Sequence, residues 1–201
     1  MNLPNKLTIL RIVMTPIFMA AMIIEFPQHY IVALVLFVVA SLTDLLDGKI
    51  ARARGLVTNF GKFLDPLADK MLTTAAFLAF LAKNFGYGIA WVLFIVLFRE
   101  FMISSLRLVA VSSETKKVIP ANIWGKTKTV TQMIAIIFGI AVMYFNESIL
   151  PIIEQTVVVP DIVGAIIMTV FDICLWVSTF FAVISGIIYV KDSFEFINPS
   201  K

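Results

Sequence analysis

Residues 44–69 read DLLDGKIARARGLVTNFGKFLDPLAD. Four aspartates stand here in a chain that is 60% hydrophobic. Asp44 and Asp47 end one apolar run; Asp65 and Asp69 open the next. Carboxylates at the edge of a membrane span are costly and call for a functional reason. Spacings of three and four put each pair on one helical face, with β-carbons about 5–6 Å apart. Two bare charges at that distance repel by roughly 3 kcal/mol at an effective dielectric near 20. Protons or cations must offset them, and two divalent cations balance four carboxylates. Oxygen-only ligation favours a hard ion, Mg²⁺ or Mn²⁺.

The residues between the aspartates fit such a site. Gly48 and Ala51 lie one and two turns past Asp44 on its face, where small side chains admit a ligand to the backbone. Arg52 suits a phosphate or a base edge. Gly61 is expected to free the backbone before the next span. Asp65 before Pro66 reads as a helix cap followed by proline at the first helical position.

Working outward, 201 residues with mean hydropathy +0.98 and 14% charged residues describe an integral membrane protein. No polar segment is large enough for a soluble domain, so residues 1–201 read as a single all-α membrane domain. Six spans are expected, over about 7–25, 30–52, 65–83, 88–112, 122–145 and 162–190. Pro16 is expected to kink the first. Residues 146–160, with Pro151 and Pro160, read as a reentrant or surface connection. No small-residue cleavage pattern follows the first run, which is expected to be retained. The lone Cys174 reads as a buried core residue.

Six spans put Lys6, Arg11, Lys49, Arg52, Arg54, Lys62, Lys70, Arg99, Arg107, Lys116, Lys117, Lys126, Lys128, Lys191 and Lys201 on one side and Lys83 alone on the other. The positive-inside rule then makes both termini and the aspartate string cytoplasmic. His29, the one histidine, falls on the far side from the aspartates and is not expected to be catalytic. Trp91, Trp124 and Tyr144 read as interfacial belt residues.

The string Asp44-x₂-Asp47-Gly48-x₂-Ala51-Arg52-x₈-Gly61-x₃-Asp65-x₃-Asp69 resembles the signature of the CDP-alcohol phosphotransferases, with all eight fixed positions present. Length and expected topology are similar too, so the resemblance covers essentially the whole chain. It implies transfer of a phosphatidyl or similar group from a CDP-linked donor to an alcohol, with release of CMP. It implies that Asp44, Asp47, Asp65 and Asp69 hold two divalent cations, and that Asp69 is also the general base. It implies that Gly48, Ala51, Arg52 and Gly61 shape the pocket for the donor's cytidine and phosphates. A homodimer is implied by resemblance alone, and no nucleic-acid partner is expected.

The acceptor is read elsewhere. Asn5-Lys6-Leu7-Thr8-x₂-Arg11, Arg99-Glu100, Arg107 and Gly125-Lys126-Thr127-Lys128-Thr129 look like strings of the bacterial phosphatidylglycerophosphate synthases. That likeness implies CDP-diacylglycerol as donor, sn-glycerol 3-phosphate as acceptor and the bacterial cytoplasmic (inner) membrane as location. Arg107, Lys126, Lys128 and Lys62 are the candidates for the acceptor phosphate. Glu100 is expected to hold Arg107, seven residues on along the same stripe. Asn5, Thr8 and Arg11 share one side of the first helix and are candidates for closing the site at headgroup level. Other acceptors (inositol phosphate, serine, phosphatidylglycerol) remain open at this point. So does a cation transporter, although its ionisable residues belong near the midplane.

Overall fold

The computed structural model describes residues 2–54, 59–112 and 123–197, with side chains except those of 3, 4, 45–54, 59, 60, 62, 63, 65, 69, 110–112 and 194–197. The described residues are helical apart from short connections. The helices are α1 (Leu3–Ile23), α2 (His29–Arg54), α3 (Asn59–Ala82), α4 (Ile89–Ser112), α5 (Ile123–Tyr144), α6 (Leu150–Glu154) and α7 (Asp161–Ile197). Four segments among them are long and apolar enough to cross a membrane: Asn5–Ile23, Ile89–Val109, Ile123–Glu154 and Asp161–Ser193. The apolar part of α2 is shorter, His29–Asp44. In α3 the charged residues 62, 65, 69 and 70 interrupt the apolar pattern.

Two boundaries differ from the sequence reading. The first is the start of α3, which begins at Asn59, so Gly61, Asp65 and Pro66 lie inside the helix. Asp65 is therefore not its N-cap, and Gly61 does not make a turn. Proline is tolerated inside membrane helices because neighbouring groups satisfy the carbonyl it frees. The second is the end of α5. A π-helical turn over Phe145–Ile149 carries the helix on into α6, and the Leu150 N–H reaches back to the Phe145 carbonyl. Pro151 follows directly, in the first residues of α6, and because it has no N–H to donate back into the turn, the wider π-turn lies just where the regular ladder is interrupted. The connection expected over 146–160 thus narrows to 155–160. Helix α7 has 37 residues, about 55 Å at 1.5 Å per residue, and outruns a bilayer core.

Local chemistry sets the helix α1. The Asn2 side chain accepts from the Asn5 N–H (3.2 Å) and caps the first turn. The helix then continues through Pro16 to Ile23. It packs on α2 and α3; α7 packs on α4 and α5, and α2 joins the two groups through α5. Phenylalanines fill the centre. Phe18 and Phe37 meet at 5.6 Å between ring centroids, and Phe80 meets Phe171 edge-on at 5.7 Å. Gly139 lets α5 approach this pair. A β-carbon there would lie 2.6 Å from Phe171 and 2.7 Å from Phe80.

A paired prediction follows from that contact. Overpacking at Gly139→Ala costs about 1–3 kcal/mol and exceeds the gain in helix propensity of about 1 kcal/mol. Gly164→Ala gains propensity alone, because nothing lies within 4 Å of its added carbon. Thermal midpoints in detergent should fall for the first and hold or rise for the second. Equal midpoints would refute the packing account.

One end of the bundle is tied by few charges. Lys83 donates to Glu25 (3.0 Å), and this hydrogen bond holds the Glu25 carboxyl below the usual carboxylate range. His29 is buried there, with Nδ1 facing the Ala21 carbonyl (3.0 Å) and Nε2 facing Glu147 (2.8 Å). Asp44 lies fifteen residues further along α2, about 22 Å away. His29 is therefore remote from the aspartates, as its place in the sequence suggests.

Candidate active site

The opposite end gathers the polar side chains of the bundle. On α1, Asn5, Thr8 and Arg11 recur at steps of three and are all buried. Arg11 donates to Asp44 on α2 across 2.6 Å; the arginine side chain is 2% exposed and the aspartate 38%. The carboxylate is thus held from the interior and open on its other side, the posture of a group that meets a ligand.

Asp44 is the one aspartate of the string whose side chain is described. The side chains of Asp47, Ala51, Arg52, Lys62, Asp65 and Asp69 lie outside the described residues, and of these and Gly48 only the backbone is placed. It is helical throughout. Asp44 and Asp47 therefore sit one turn apart on α2, and Asp65 and Asp69 one turn apart on α3. Gly61 is buried in α3. Both helices pack on α1. Two carboxylate pairs on neighbouring helices, all oxygen donors, match the preference of Mg²⁺ or Mn²⁺. The open side of Asp44 is consistent with that fit.

A cationic cluster lies on the other helices. Glu100 of α4 accepts from Lys128 of α5 (2.6 Å) and from Arg99 (2.6 Å), and Lys70 of α3 stands 3.7 Å away. Lys70 also donates to Ser104, and Arg99 to Ser185 of α7. Three helices thus meet at one carboxylate that is 14% exposed, with Lys128 only 8% exposed, and Arg99 ties α7 to the cluster. Three cations around one anion leave the cluster with an excess of two positive charges, suited to an anionic ligand.

The two poles share a depth. The Ser41 hydroxyl on α2 reaches the Met133 sulfur on α5 at 3.7 Å. His29 and Glu147 pair at the other end of the same two helices, which therefore run antiparallel. Asp44 is three residues from Ser41, and Lys128 five from Met133, both toward the same end. Their levels then differ by about 3 Å.

The expected link from Glu100 to Arg107 is corrected. Arg107 donates from Nε to the Tyr189 hydroxyl of α7 (3.3 Å), and its guanidinium lies 5.6 Å from that ring's centroid. Seven residues share a stripe but rise about 10.5 Å along the axis, beyond direct reach. Nearer cations from α3 and α5 take the carboxylate instead. Lys126 is exposed whereas Lys128 is buried, so these two lysines do not face one pocket. Sequence reasoning did not include Lys70, Arg99, Ser185 and Gln132 among the site residues. The available signal was their polarity within apolar helices.

The family model described as CDP-alcohol phosphatidyltransferase matches residues 1–184. The chain belongs to the CDP-alcohol phosphatidyltransferase family. A Bacillus subtilis (strain 168) relative, named CDP-diacylglycerol--glycerol-3-phosphate 3-phosphatidyltransferase, is 39% identical over 99% of this chain and 98% of its own. A Rickettsia bellii relative of the same name is 39% identical over 94% of each chain. A Mycobacterium tuberculosis relative, named probable phosphatidylglycerophosphate synthase, is 40% identical over 67% of this chain and 64% of its own. Within this CDP-alcohol phosphatidyltransferase, the carboxylate pole and the cationic pole are the two parts for which a function must account.

Proposed function

We propose that this protein transfers the phosphatidyl group of CDP-diacylglycerol to sn-glycerol 3-phosphate, giving phosphatidylglycerophosphate and CMP. The observation that carries this reading is the pairing of a carboxylate pole and a cationic pole at one depth of the bundle. The full-length likeness to relatives that bear this activity in their names supports it. The chain is read as a single domain with six spans in a bacterial cytoplasmic membrane, both termini cytoplasmic, and as a homodimer. Six helices of 21 residues or more and the one-sided lysines and arginines support that topology.

Asp44, Asp47, Asp65 and Asp69 would hold two divalent cations, Mg²⁺ or Mn²⁺. When bound, these neutralise the donor diphosphate and stabilise the departing CMP. Arg11 fixes Asp44 for that task from inside the bundle. Gly48, Ala51, Arg52 and Gly61 form the cytidine and phosphate pocket. The acceptor's hydroxyl oxygen forms a bond to the phosphorus that carries diacylglycerol, the bond from that phosphorus to CMP breaks, and the proton passes to Asp69. A carboxylate beside metal is a weak base, so this transfer falls late, when the hydroxyl has become acidic. Lys128, buried and held by Glu100, is the strongest of the acceptor-phosphate residues, with Arg107 and Lys62 beside it; the exposed Lys126 drops out of the set. Asn5, Thr8 and Arg11 line the headgroup side. Displacement at phosphorus depends chiefly on such positioning and charge neutralisation.

Purified protein given CDP-diacylglycerol and Mg²⁺ or Mn²⁺ should release CMP only when sn-glycerol 3-phosphate is added. Absence of release with either metal would sink the reading. Faster release with inositol phosphate, serine or phosphatidylglycerol would reassign the acceptor.

A further inference from the structure

The polar layer ends on a residue that none of these contacts uses. Gln132 follows Lys128 by four residues on α5, so the two share a face. It is 1% exposed, and its amide nitrogen has no hydrogen-bond partner. A primary amide carries two donors and an acceptor, and native proteins rarely bury one unpaired. The same face continues to Gly139, against Phe80 of α3 and Phe171 of α7, so it looks into the bundle and not toward lipid. The contact between Ser41 and Met133 puts Gln132 about 3 Å, little more than half a turn, below Asp44. Beyond it the buried residues of α5 are apolar or glycine: Ala135, Ile136, Gly139 and Ile140. Gln132 is thus the floor of the polar layer.

We infer that Gln132 recognises the hydroxyl of the acceptor that does not react. The inference rests on the acceptor reading above and adds the contact that selects the acceptor. sn-Glycerol 3-phosphate carries a phosphate, a primary hydroxyl that attacks and a secondary hydroxyl that is left over. That secondary hydroxyl leaves water with the rest of the molecule and needs a partner of its own. An amide matches it both ways: the carbonyl accepts its proton, and the NH₂ donates to its oxygen. Lys128 and Gln132 stand one helical turn apart, about 6 Å, a span comparable to a three-carbon phosphate ester. An apolar residue at this place would discriminate weakly between acceptors with and without the hydroxyl. A hydrogen-bonding one rejects the analogue because its own buried groups stay unpaired.

The test compares kcat/KM for sn-glycerol 3-phosphate and 3-hydroxypropyl phosphate, which keeps the phosphate and the primary hydroxyl and lacks the secondary one. The unaltered protein should prefer the first by at least about tenfold. In Gln132→Leu and in the closer-fitting Gln132→Met, that ratio should fall to near one. A merely packed glutamine predicts parallel losses for both acceptors with the ratio kept, and that result overturns the inference. So does an unaltered protein without preference. If the unaltered protein does not turn over sn-glycerol 3-phosphate at all, the acceptor reading itself falls, and the inference with it. Reading the ratio in two variants keeps the result clear of a folding defect in either one.

Discussion

Asp69→Asn is expected to lower CMP release by at least about 10³-fold while leaving the helical content of the protein intact. A positioned general base contributes about 10²–10⁴ in rate, and the same substitution removes one charge from the proposed cation site. The amide has the carboxylate's shape but neither its charge nor its affinity for the hydroxyl proton. Asp and Asn have similar helix propensities, and position 69 lies well inside α3, so the fold has little reason to change. CMP release and circular dichroism on one preparation separate the two effects. Normal turnover in the variant would refute the assignment of Asp69 as base and ligand together.

Glu100→Leu is the second large effect, and it falls first on stability. The substitution leaves Lys70, Arg99 and Lys128 facing one another in the interior, where the carboxylate now meets Lys128 and Arg99 at 2.6 Å each. Removing one member of a buried ion pair costs about 3–5 kcal/mol, because the remaining charge is uncompensated. The thermal midpoint in detergent should drop clearly. Adding Lys128→Met to the Leu variant should recover part of the loss, since it removes one stranded cation. Glu100→Gln keeps an acceptor oxygen and should destabilise less, yet still raise the KM for sn-glycerol 3-phosphate by loosening Lys128. An unchanged midpoint in Glu100→Leu would show that the cluster does not hold the four helices together.

Some of this was legible in the chain. The carboxylate string marks a site because acids are expensive beside apolar runs, and helical periodicity pairs them before any fold is known. The remoteness of His29 follows from its place at the opposite end of an apolar helix. Boundaries were less legible where two local rules compete. Proline after aspartate is a start signal, yet Pro66 lies inside α3. Pro151 looks like a break, yet a π-turn carries the helix past it.

The sequence by itself determined the class of the protein, the positions of its long apolar helices and the carboxylate string. Those properties are local, written in composition and in spacings of three and four along one helix. Tertiary structure alone decided that Arg11 meets Asp44, that Glu100 takes Lys70 and Lys128 and leaves Arg107 to Tyr189, and that the Gln132 amide nitrogen is buried without a partner. Such pairings depend on which helices are neighbours and at what depth their turns align. No spacing within one helix encodes that alignment; it arises when apolar faces such as Phe80, Gly139 and Phe171 pack and set the register of everything above them.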